Sequence, residues 1–178
     1  MSNLEFLSYD SERHLEKYQE MLIEYSNWLD NQVYNYYGVR LLQNTTAKEI
    51  AEKYAPTWTS VKPPEGDLFI IEVNRKVAGM GRLNTLEENI GGVHTIWVEP
   101  EYRGRKYATK LMEHINEKAL EFGFSVLRLD TARFNTAAQS LYKKLGYYEI
   151  PRFTPIGTFE NESLVRYYAE KVYMEKQL

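Results

Sequence analysis

A strand that runs into a basic loop and then into a long helix is the sequence feature that most restricts how this chain can fold. The β-branched segment Val93–Val98 predicts the strand, and Pro100 ends it. Between Arg103 and Lys110 there are four cations and no acid, and an amphipathic helix begins within this stretch. The first turn of a helix presents unpaired backbone N–H groups and the positive end of the helix dipole. The segment therefore predicts a site for an anion such as pyrophosphate, and Gly104 would let the backbone approach it closely.

The overall charge points to the same kind of ligand. Lys and Arg number 22 against 25 Asp and Glu, which gives a formal net charge of -3. A nucleic-acid-binding protein usually carries a basic surplus, so we expect no nucleic-acid partner. One basic segment in an acidic chain indicates a small anionic ligand rather than a polymer.

Length and composition limit the class of protein further. The 178 residues, of which 43% are hydrophobic, fit one globular domain over residues 1–178. No apolar run is long enough to cross a bilayer, and the first residues lack the basic and apolar regions of a secretory signal. We therefore expect a cytoplasmic protein with no membrane partner. The chain has no cysteine, which excludes disulfides and a cysteine nucleophile.

Hydrophobic periodicity predicts the order of the elements. Seven strands are predicted, at Leu4–Tyr9, Asp67–Val73, Val77–Asn84, Val93–Val98, Ser125–Thr131, Tyr147–Ile150 and Ala169–Glu175. Four helices are predicted: from a cap at Asp10 or Ser11 through Leu29, from Thr45 or Thr46 to Tyr54, from Ala108 to Phe122, and over Thr136–Leu145. This pattern predicts an α/β fold with a mixed, mostly antiparallel seven-stranded sheet flanked by about four helices on both faces.

Breaks in the periodicity predict where these elements end. The segment Asn31–Gly38 breaks the pattern of the first helix, and Pro56 is expected to stop the second. Polar composition predicts a loop over Thr85–Gly92, and proline and glycine predict another over Pro151–Asn161.

The basic loop resembles the cofactor-binding signature of the GNAT superfamily of N-acetyltransferases. The phrase Val98-Glu-Pro-Glu-Tyr-Arg103-Gly104 is similar to the family's V-x-P-x-x-R-G. The following Arg103-Gly-Arg-Lys-Tyr-Ala108 lies on the family's signature, Arg/Gln-x-x-Gly-x-Gly/Ala, with Lys106 where the inner glycine usually stands. The resemblance implies that this loop binds acetyl-CoA. It leaves open whether the Lys106 ammonium contacts a phosphate or the loop has a different geometry.

A second block downstream strengthens the resemblance. The stretch Asn135-Thr-Ala-Ala-Gln-Ser-Leu-Tyr142-Lys-Lys-Leu-Gly146 is similar to the family's N-x-x-A-x-x-L-Y-x-x-x-G, and the whole resemblance covers a little under half of the chain. One glycine-rich turn is weak evidence, whereas two blocks in the right order and spacing are strong evidence. By this resemblance, Asn135 would bond the pantetheine arm, Ala138 would leave room for it, and Tyr142 would face the cofactor sulfur.

The resemblance also implies a reaction, the direct attack of a neutral amine on the thioester of acetyl-CoA without a covalent enzyme intermediate or a metal. A backbone N–H on the strand Ile96–Val98, with that of Val98 as the first choice, would stabilise the developing oxyanion. Tyr142 would act as the general acid that protonates the departing thiolate. The implied cofactor-binding residues are Ile96, Trp97, Val98, Arg103, Gly104, Arg105, Lys106, Tyr107, Ala108, Asn135, Ala138 and Tyr142.

The group that takes the proton of the amine stays open at this point. Relatives often carry a glutamate early in the central strand, and the corresponding place here is near Gly92. Glu87, Glu88 and His94 are the nearby alternatives, and a water chain is another. A histidine has the intrinsic pKa of a base at neutral pH, although a lone histidine on a strand is more often structural.

Two classes of function are compatible with these residues. The first is an N-acetyltransferase that acts on a primary amine of a small molecule, an amino acid or a peptide. The second is a non-catalytic acyl-CoA sensor or partner-binding module on the same fold, which Lys106 and the absent strand glutamate would favour. The acceptor and the oligomeric state, a homodimer included, cannot be read from the sequence.

Residues outside the two blocks carry weaker expectations. The aromatic residues Trp28, Tyr34, Tyr36 and Tyr37 are expected to pack, with their loop as an alternative border of the acceptor site. Ordinary loop charges are expected at Glu87, Glu88, Glu160 and Glu162.

Overall fold

A single mixed sheet forms the centre of the protein. The computed structural model describes residues 3–154 and 161–178. The strands are β1 (Leu4–Ser8), β2 (Gly66–Val73), β3 (Lys76–Glu87), β4 (Ile90–Val98), β5 (Val126–Thr131), β6 (Tyr148–Ile150) and β7 (Val172–Gln177). The helices are α1 (Ser11–Tyr37), α2 (Ala47–Thr59), α3 (Tyr107–Glu121), α4 (Thr136–Lys144) and α5 (Glu162–Ala169), with a 3-10 turn at Pro100–Tyr102. The predicted α/β class and the seven-stranded sheet are confirmed.

The order of the strands places one parallel pair inside an antiparallel sheet. The order is β1-β2-β3-β4-β5-β7-β6, and every neighbouring pair is antiparallel except β4 and β5. These two strands pair only where Ile90–Gly92 lies beside Val126–Arg128. Beyond that point β4 continues through Val93–Val98 without β5 beside it. A cleft therefore opens in the middle of the sheet.

Helices cover both faces of the sheet, as predicted. In β2, Phe69 and Ile71 face a core shared with α3, whereas Leu68 and Ile70 face a core shared with α1 and α2. This alternation is the two-residue period of a strand with both faces buried. Within the described residues, no helix has both the length and the apolar character needed to cross a membrane.

The first helix is longer than its sequence pattern predicts. The expected break at Asn31–Gly38 is wrong, because α1 continues to Tyr37 and ends at Gly38, which has a φ of 68°. Val33 is fully buried, so the apolar stripe continues past the polar residues. The side chain of Asp30 accepts the backbone N–H groups of Leu41 and Leu42 and so holds the chain that leaves the helix.

The second helix passes through its proline. Its predicted start is confirmed, because Thr46 and Glu49 form a capping box. The predicted stop is wrong, because Pro56 lies inside α2, which ends at Thr59. A proline removes one backbone hydrogen bond. Ala51 and Ala55 are buried in the core that α2 shares with α1 and the sheet. This burial stabilises the helix despite the missing hydrogen bond.

The predicted loop at Thr85–Gly92 is wrong as well. Strand β3 runs to Glu87 and β4 begins at Ile90, so only a two-residue turn separates them. Asn89 has a φ of 63°, a left-handed conformation that asparagine tolerates. At the end of β3 the polar side chains are exposed, so their polarity did not exclude a strand.

The C-terminal part contains a helix that the sequence pattern did not predict. Helix α5 is only eight residues long, and Asn161 caps it by accepting the N–H groups of Ser163 and Leu164. Glu162 therefore lies in a first helical turn rather than in a loop. The predicted loop Pro151–Asn161 and the loop charge Glu160 fall wholly or partly on residues 155–160, which lie outside the described residues.

Strands β3 and β4 approach each other very closely at Gly79. A Cβ atom there would lie 2.5 Å from the carbonyl oxygen of Trp97 and 3.2 Å from the Cα of Val98. Both are backbone atoms, which a side-chain rotation cannot move. Glycine at 79 thus fixes where the last two residues of β4 lie.

We expect Gly79→Ala to lower the free energy of unfolding by about 2 kcal/mol or more, because backbone must shift to relieve the overlap. Gly81→Ala is the matched control. Its Cβ would meet the ends of the Ile96 and Leu111 side chains, which can move, so the loss should be smaller. Denaturant unfolding of both variants measures the difference, and equal losses would contradict this account of Gly79.

Candidate active site

A cavity of about 440 Å³ fills the cleft between β4 and β5. It is bordered by residues of β4, the basic loop, α4, the end of β5, α1 and α5. The lining residues are Tyr25, Trp28, Leu29, Val93, His94, Thr95, Ile96, Trp97, Val98, Arg103, Ala108, Asp130, Thr131, Ala132, Asn135, Ala137, Ala138, Leu141, Tyr142, Tyr167 and Lys171.

Strand β4 carries a bulge where it borders the cavity. Its register against β3 shifts between the pairs Arg82–His94 and Met80–Trp97, and Thr95 has a φ of 53°. A bulge leaves an extra residue without a ladder partner and bends its strand. Since β5 has already left this edge of β4, residues Val93–Val98 border the cavity.

Arg103 supports the end of β4. Its Nε donates a hydrogen bond to the carbonyl oxygen of Val98 at 2.8 Å. Its guanidinium carbon lies 4.6 Å from the centre of a Trp97 ring, a cation–π contact. One side chain therefore ties the basic loop to the strand, and it still lines the cavity.

The basic loop keeps the left-handed backbone for which glycine is suited, even though a lysine is present. Lys106 is the N-cap of α3, with φ 62° and ψ 19°. Its side chain makes no capping hydrogen bond, and the first turn of α3 contains no acid. The helix thus starts with N–H groups that no described side chain caps, beside three cationic residues. This arrangement suits an anion.

Helix α4 contributes the second group of predicted residues. Asn135 caps the helix, since its Oδ1 accepts the N–H of Ala138 at 3.3 Å. The Asn135 amide N–H₂ has no hydrogen bond to a described residue. One helical turn apart, Ala138 and Tyr142 lie on the same face of α4 and both line the cavity.

Tyr142 is buried, and its hydroxyl has no partner among the described residues. Only 8% of its surface is exposed, and its ring packs 5.9 Å from that of Tyr147. Burial, together with nearby Tyr25 and Asp130, raises the pKa of Tyr142 well above its usual value. No described residue forms a hydrogen bond with its hydroxyl. The group is therefore a protonated donor at neutral pH.

His94 occupies the space above Gly92. A Cβ atom at position 92 would lie 2.7 Å from the His94 Nε2, so a side chain there would require the imidazole to move. Burial, and then the positive charge of Arg82, lower the pKa of His94 to about 4. The ring is consequently neutral at pH 7 and can accept a hydrogen bond.

The other candidates for a base lie elsewhere. The carboxylate of Glu87 pairs with Arg128 at 3.1 Å and is exposed, and Glu88 is exposed in the turn between β3 and β4. Neither residue lines the cavity. Of the three side chains considered from the sequence, His94 is the one that does.

The structure brings most of the predicted site residues together. Those that line the cavity are His94, Ile96, Trp97, Val98, Arg103, Ala108, Asn135, Ala138 and Tyr142. The other four do not line it: Gly104, Arg105 and Lys106 lie in the loop beside the cavity, and Tyr107 is the first residue of α3.

Sequence reasoning missed the lining residues on the other side. Tyr25, Asp130, Tyr167 and Lys171 come from four separate elements or connections and form no local motif. Asn161 is a typical helix cap, and predicting α5 from it would have made Tyr167 a candidate residue. Of the four aromatic residues considered, Trp28 borders the cavity, and Tyr34, Tyr36 and Tyr37 do not.

Comparison with known proteins gives one family. The family model described as "Acetyltransferase (GNAT) family" matches residues 16–147. A thialysine N-epsilon-acetyltransferase from Bos taurus is 45% identical over 51 residues, which is 29% of this chain and 30% of that protein. An IAA acetyltransferase from Azospirillum brasilense is 32% identical over 95 residues, covering 53% of this chain and 62% of that protein. The matches thus span between about a third and two thirds of these curated relatives.

Solved structures share the fold over its whole length. A GNAT-family acetyltransferase from Staphylococcus aureus Mu50 aligns with a TM-score of 0.67 at 18% identity, covering 99% of both chains. The PaiA N-acetyltransferase from Thermoplasma acidophilum, solved in complex with coenzyme A, aligns with a TM-score of 0.64 at 16% identity and covers 99% of both chains. At these identities the likeness concerns the fold.

We expect the His94 ring to titrate near pH 4 rather than near 6.5. Below pH 6.5 the unfolded chain binds a proton that folded His94 does not, so this residue should lower the free energy of unfolding as the pH falls towards 4. NMR titration of the ring protons and unfolding at several pH values measure both effects. His94→Asn should reduce the pH dependence in that window, and a His94 midpoint near neutrality would contradict the assignment.

Proposed function

The chain belongs to the acetyltransferase (GNAT) family, and from that premise we propose that it transfers the acetyl group of acetyl-CoA to a primary amine of a small molecule, an amino acid or a peptide. One observation carries the proposal. The same cavity is lined by Arg103 and Ala108, at the basic start of α3, and by Tyr142, whose hydroxyl has no hydrogen-bond partner among the described residues.

Cofactor binding is assigned to the basic loop, β4 and α4. The N–H groups at the start of α3 and the cations Arg103, Arg105 and Lys106 would hold the phosphates. The amide of Asn135 would bond the pantetheine arm, for which the small side chain of Ala138 leaves room. Backbone groups of Ile96, Trp97 and Val98 border the same space along the open edge of β4.

The transfer step needs a donor for each of two developing negative charges. The Val98 N–H would donate to the carbonyl oxygen of the thioester as the amine attacks its carbon. When the carbon–sulfur bond breaks, the Tyr142 hydroxyl would give its proton to the sulfur. A raised pKa suits this role because it keeps the hydroxyl protonated until the thiolate forms.

His94 is assigned to the acceptor amine. With its pKa lowered to about 4, the ring is too weak a base to hold the proton of an ammonium group at neutral pH. It would instead accept a hydrogen bond from the neutral amine and orient the lone pair, while the proton passes through water to solvent. Tyr142 is thus the proposed proton donor, and His94 a proposed orienting acceptor.

The bounds of the domain and the cellular location of the protein are part of the same proposal. Strands from both ends of the chain, β1 and β7, join one sheet, which supports a single acetyltransferase domain over residues 1–178. The absence of cysteine is compatible with a cytoplasmic location.

Two measurements on the same protein test the proposal. Calorimetry should show binding of one acetyl-CoA, and thiol release should follow when amines are added. Binding without thiol release for any amine would favour a non-catalytic acyl-CoA sensor. Absence of binding at millimolar acetyl-CoA would refute both functions.

Lys106→Gly should weaken acetyl-CoA binding by about 10-fold at low salt, because it removes a cation beside the phosphates. Glycine adopts the left-handed conformation without a Cβ penalty. The free energy of unfolding of the Lys106→Gly variant should therefore equal that of the native protein or exceed it by up to about 1 kcal/mol. Lys106→Ala is the matched variant, with the same loss of charge and no stabilisation. If both variants bind acetyl-CoA with unchanged affinity, the Lys106 ammonium does not contact the phosphates.

Tyr142→Phe should lower kcat by about 100-fold and leave the Kd of acetyl-CoA nearly unchanged, because only the proton donor is lost. Tyr147→Phe is the control, since Tyr147 is also buried but does not line the cavity. Steady-state kinetics and calorimetry separate the two effects. An undiminished kcat in Tyr142→Phe would rule out the general-acid role.

A further inference from the structure

Resting on the acetyl transfer proposed above, we propose that the acceptor is an α-amino acid with an apolar side chain, whose ammonium group binds Asp130 and whose carboxylate binds Lys171. This assignment names the class of substrate, which neither the family nor the cofactor loop determines. It is carried by an ion pair within the cavity and by the apolar surfaces around that pair.

Asp130 and Lys171 form an ion pair within the cavity wall. The Lys171 Nζ lies 2.6 Å from the Asp130 Oδ2, and the two side chains are 21% and 22% exposed. Both residues line the cavity. A pair that served only to join β5 to the start of β7 could lie on any side of the sheet, whereas this one faces the space beside Tyr142 and His94.

Each member of the pair keeps hydrogen-bonding capacity. The second oxygen of Asp130 accepts no hydrogen bond from a described residue, and the Lys171 ammonium donates to Asp130 alone among them. That ammonium also lies 5.8 Å from the ring centre of Tyr167 and 5.4 Å from that of Tyr168. One acceptor and further donors are thus available side by side.

An α-amino acid matches this arrangement because it carries both charges on one carbon. Its ammonium would bind the free oxygen of Asp130 while its carboxylate binds the ammonium of Lys171, so that the two dipoles lie side by side in opposite directions. A simple amine would place its cation beside Lys171 without a compensating anion. A simple carboxylate would place its negative charge beside Asp130 without a compensating cation of its own.

The position of Asp130 suits the reaction. Its charge acts on both His94 and Tyr142. At His94 it opposes the larger effect of burial, which lowers the pKa, whereas at Tyr142 it adds to the larger effect of burial, which raises the pKa. An amine held at Asp130 therefore lies near the group proposed to orient it and the group proposed to protonate the leaving thiolate.

Four apolar or aromatic residues of α1 and α5 line the same cavity. Tyr25, Trp28 and Leu29 come from α1, and Tyr167 comes from α5. The rings of Tyr25 and Trp28 each lie 5.8 Å from that of Trp97, so they form one connected aromatic wall. Such a wall favours an apolar side chain over a charged one, because burying an unpaired charge there would be costly.

The first experiment compares three forms of the same side chain on the native protein. The probes are L-leucine and L-phenylalanine, their carboxamides, and the amines that lack the carboxyl group. Thiol release is measured at equal concentrations of neutral amine, and binding is measured by calorimetry in the presence of coenzyme A. We expect kcat/KM and affinity to favour the free amino acid by about 10-fold to 100-fold.

The second experiment assigns that preference to Lys171. Lys171→Met should bring the ratio between amino acid and amine close to one, and Lys171→Arg should restore a preference for the amino acid. Lys118→Met is the matched control, because Lys118 is also ion-paired, with Glu121, but does not line the cavity. Asp130→Asn should weaken binding of all three forms, since each contains the ammonium group.

The outcomes separate this inference from the proposed function. If the carboxamide or the amine reacts as well as the amino acid, or if the amino acid does not bind, the inference is wrong and acetyl transfer still stands. If the amino acid binds with the expected preference but no thiol is released, the acceptor class stands and acetyl transfer is wrong. Because the comparison of probes needs no variant, failure of a variant to fold cannot rescue the inference.

Discussion

The separation of β4 from β5 is the constraint on which the rest of the structure depends. The two strands pair over only three residues on each side and then diverge. A parallel sheet that stayed closed would bury the inner edge of β4 in ladder hydrogen bonds and leave no room for a ligand. Since it opens, the backbone of β4 borders a cavity that α4 closes from one side. The bulge at Thr95 and the close approach at Gly79 both serve to place the end of β4 along this opening.

Local backbone geometry is held by this framework even where the side chain does not favour it. Lys106 adopts the left-handed conformation at the start of α3, although a lysine there carries a Cβ penalty of about 1 kcal/mol. The loop is tied down on one side by Arg103, which bonds the Val98 carbonyl, and on the other by the buried Tyr107. Lysine at this position therefore adds a charge to the loop while the backbone adopts a left-handed conformation that glycine favours.

Electrostatics differ sharply between the two ends of the cavity. The end at the basic loop has cations and uncapped N–H groups, whereas the other end has a neutral histidine, a cluster of tyrosines and one ion pair. Burial sets the protonation states there, because it lowers the pKa of His94 and raises that of Tyr25 to about 12. This difference fits the proposed arrangement, in which a highly charged cofactor binds at one end and a net-neutral acceptor at the other.

The sequence by itself determined the fold class, the basic loop and the α4 motif, because each rests on residues adjacent along the chain or one helical turn apart. It predicted the wrong boundaries at Pro56 and at Thr85–Gly92, where packing or pairing with distant residues outweighed local propensity. The acceptor side was decided only by the tertiary structure. Asp130 and Lys171 are 41 residues apart and meet because β5 and β7 are neighbours in the sheet. No local periodicity encodes such a contact, since it follows from the order of the strands.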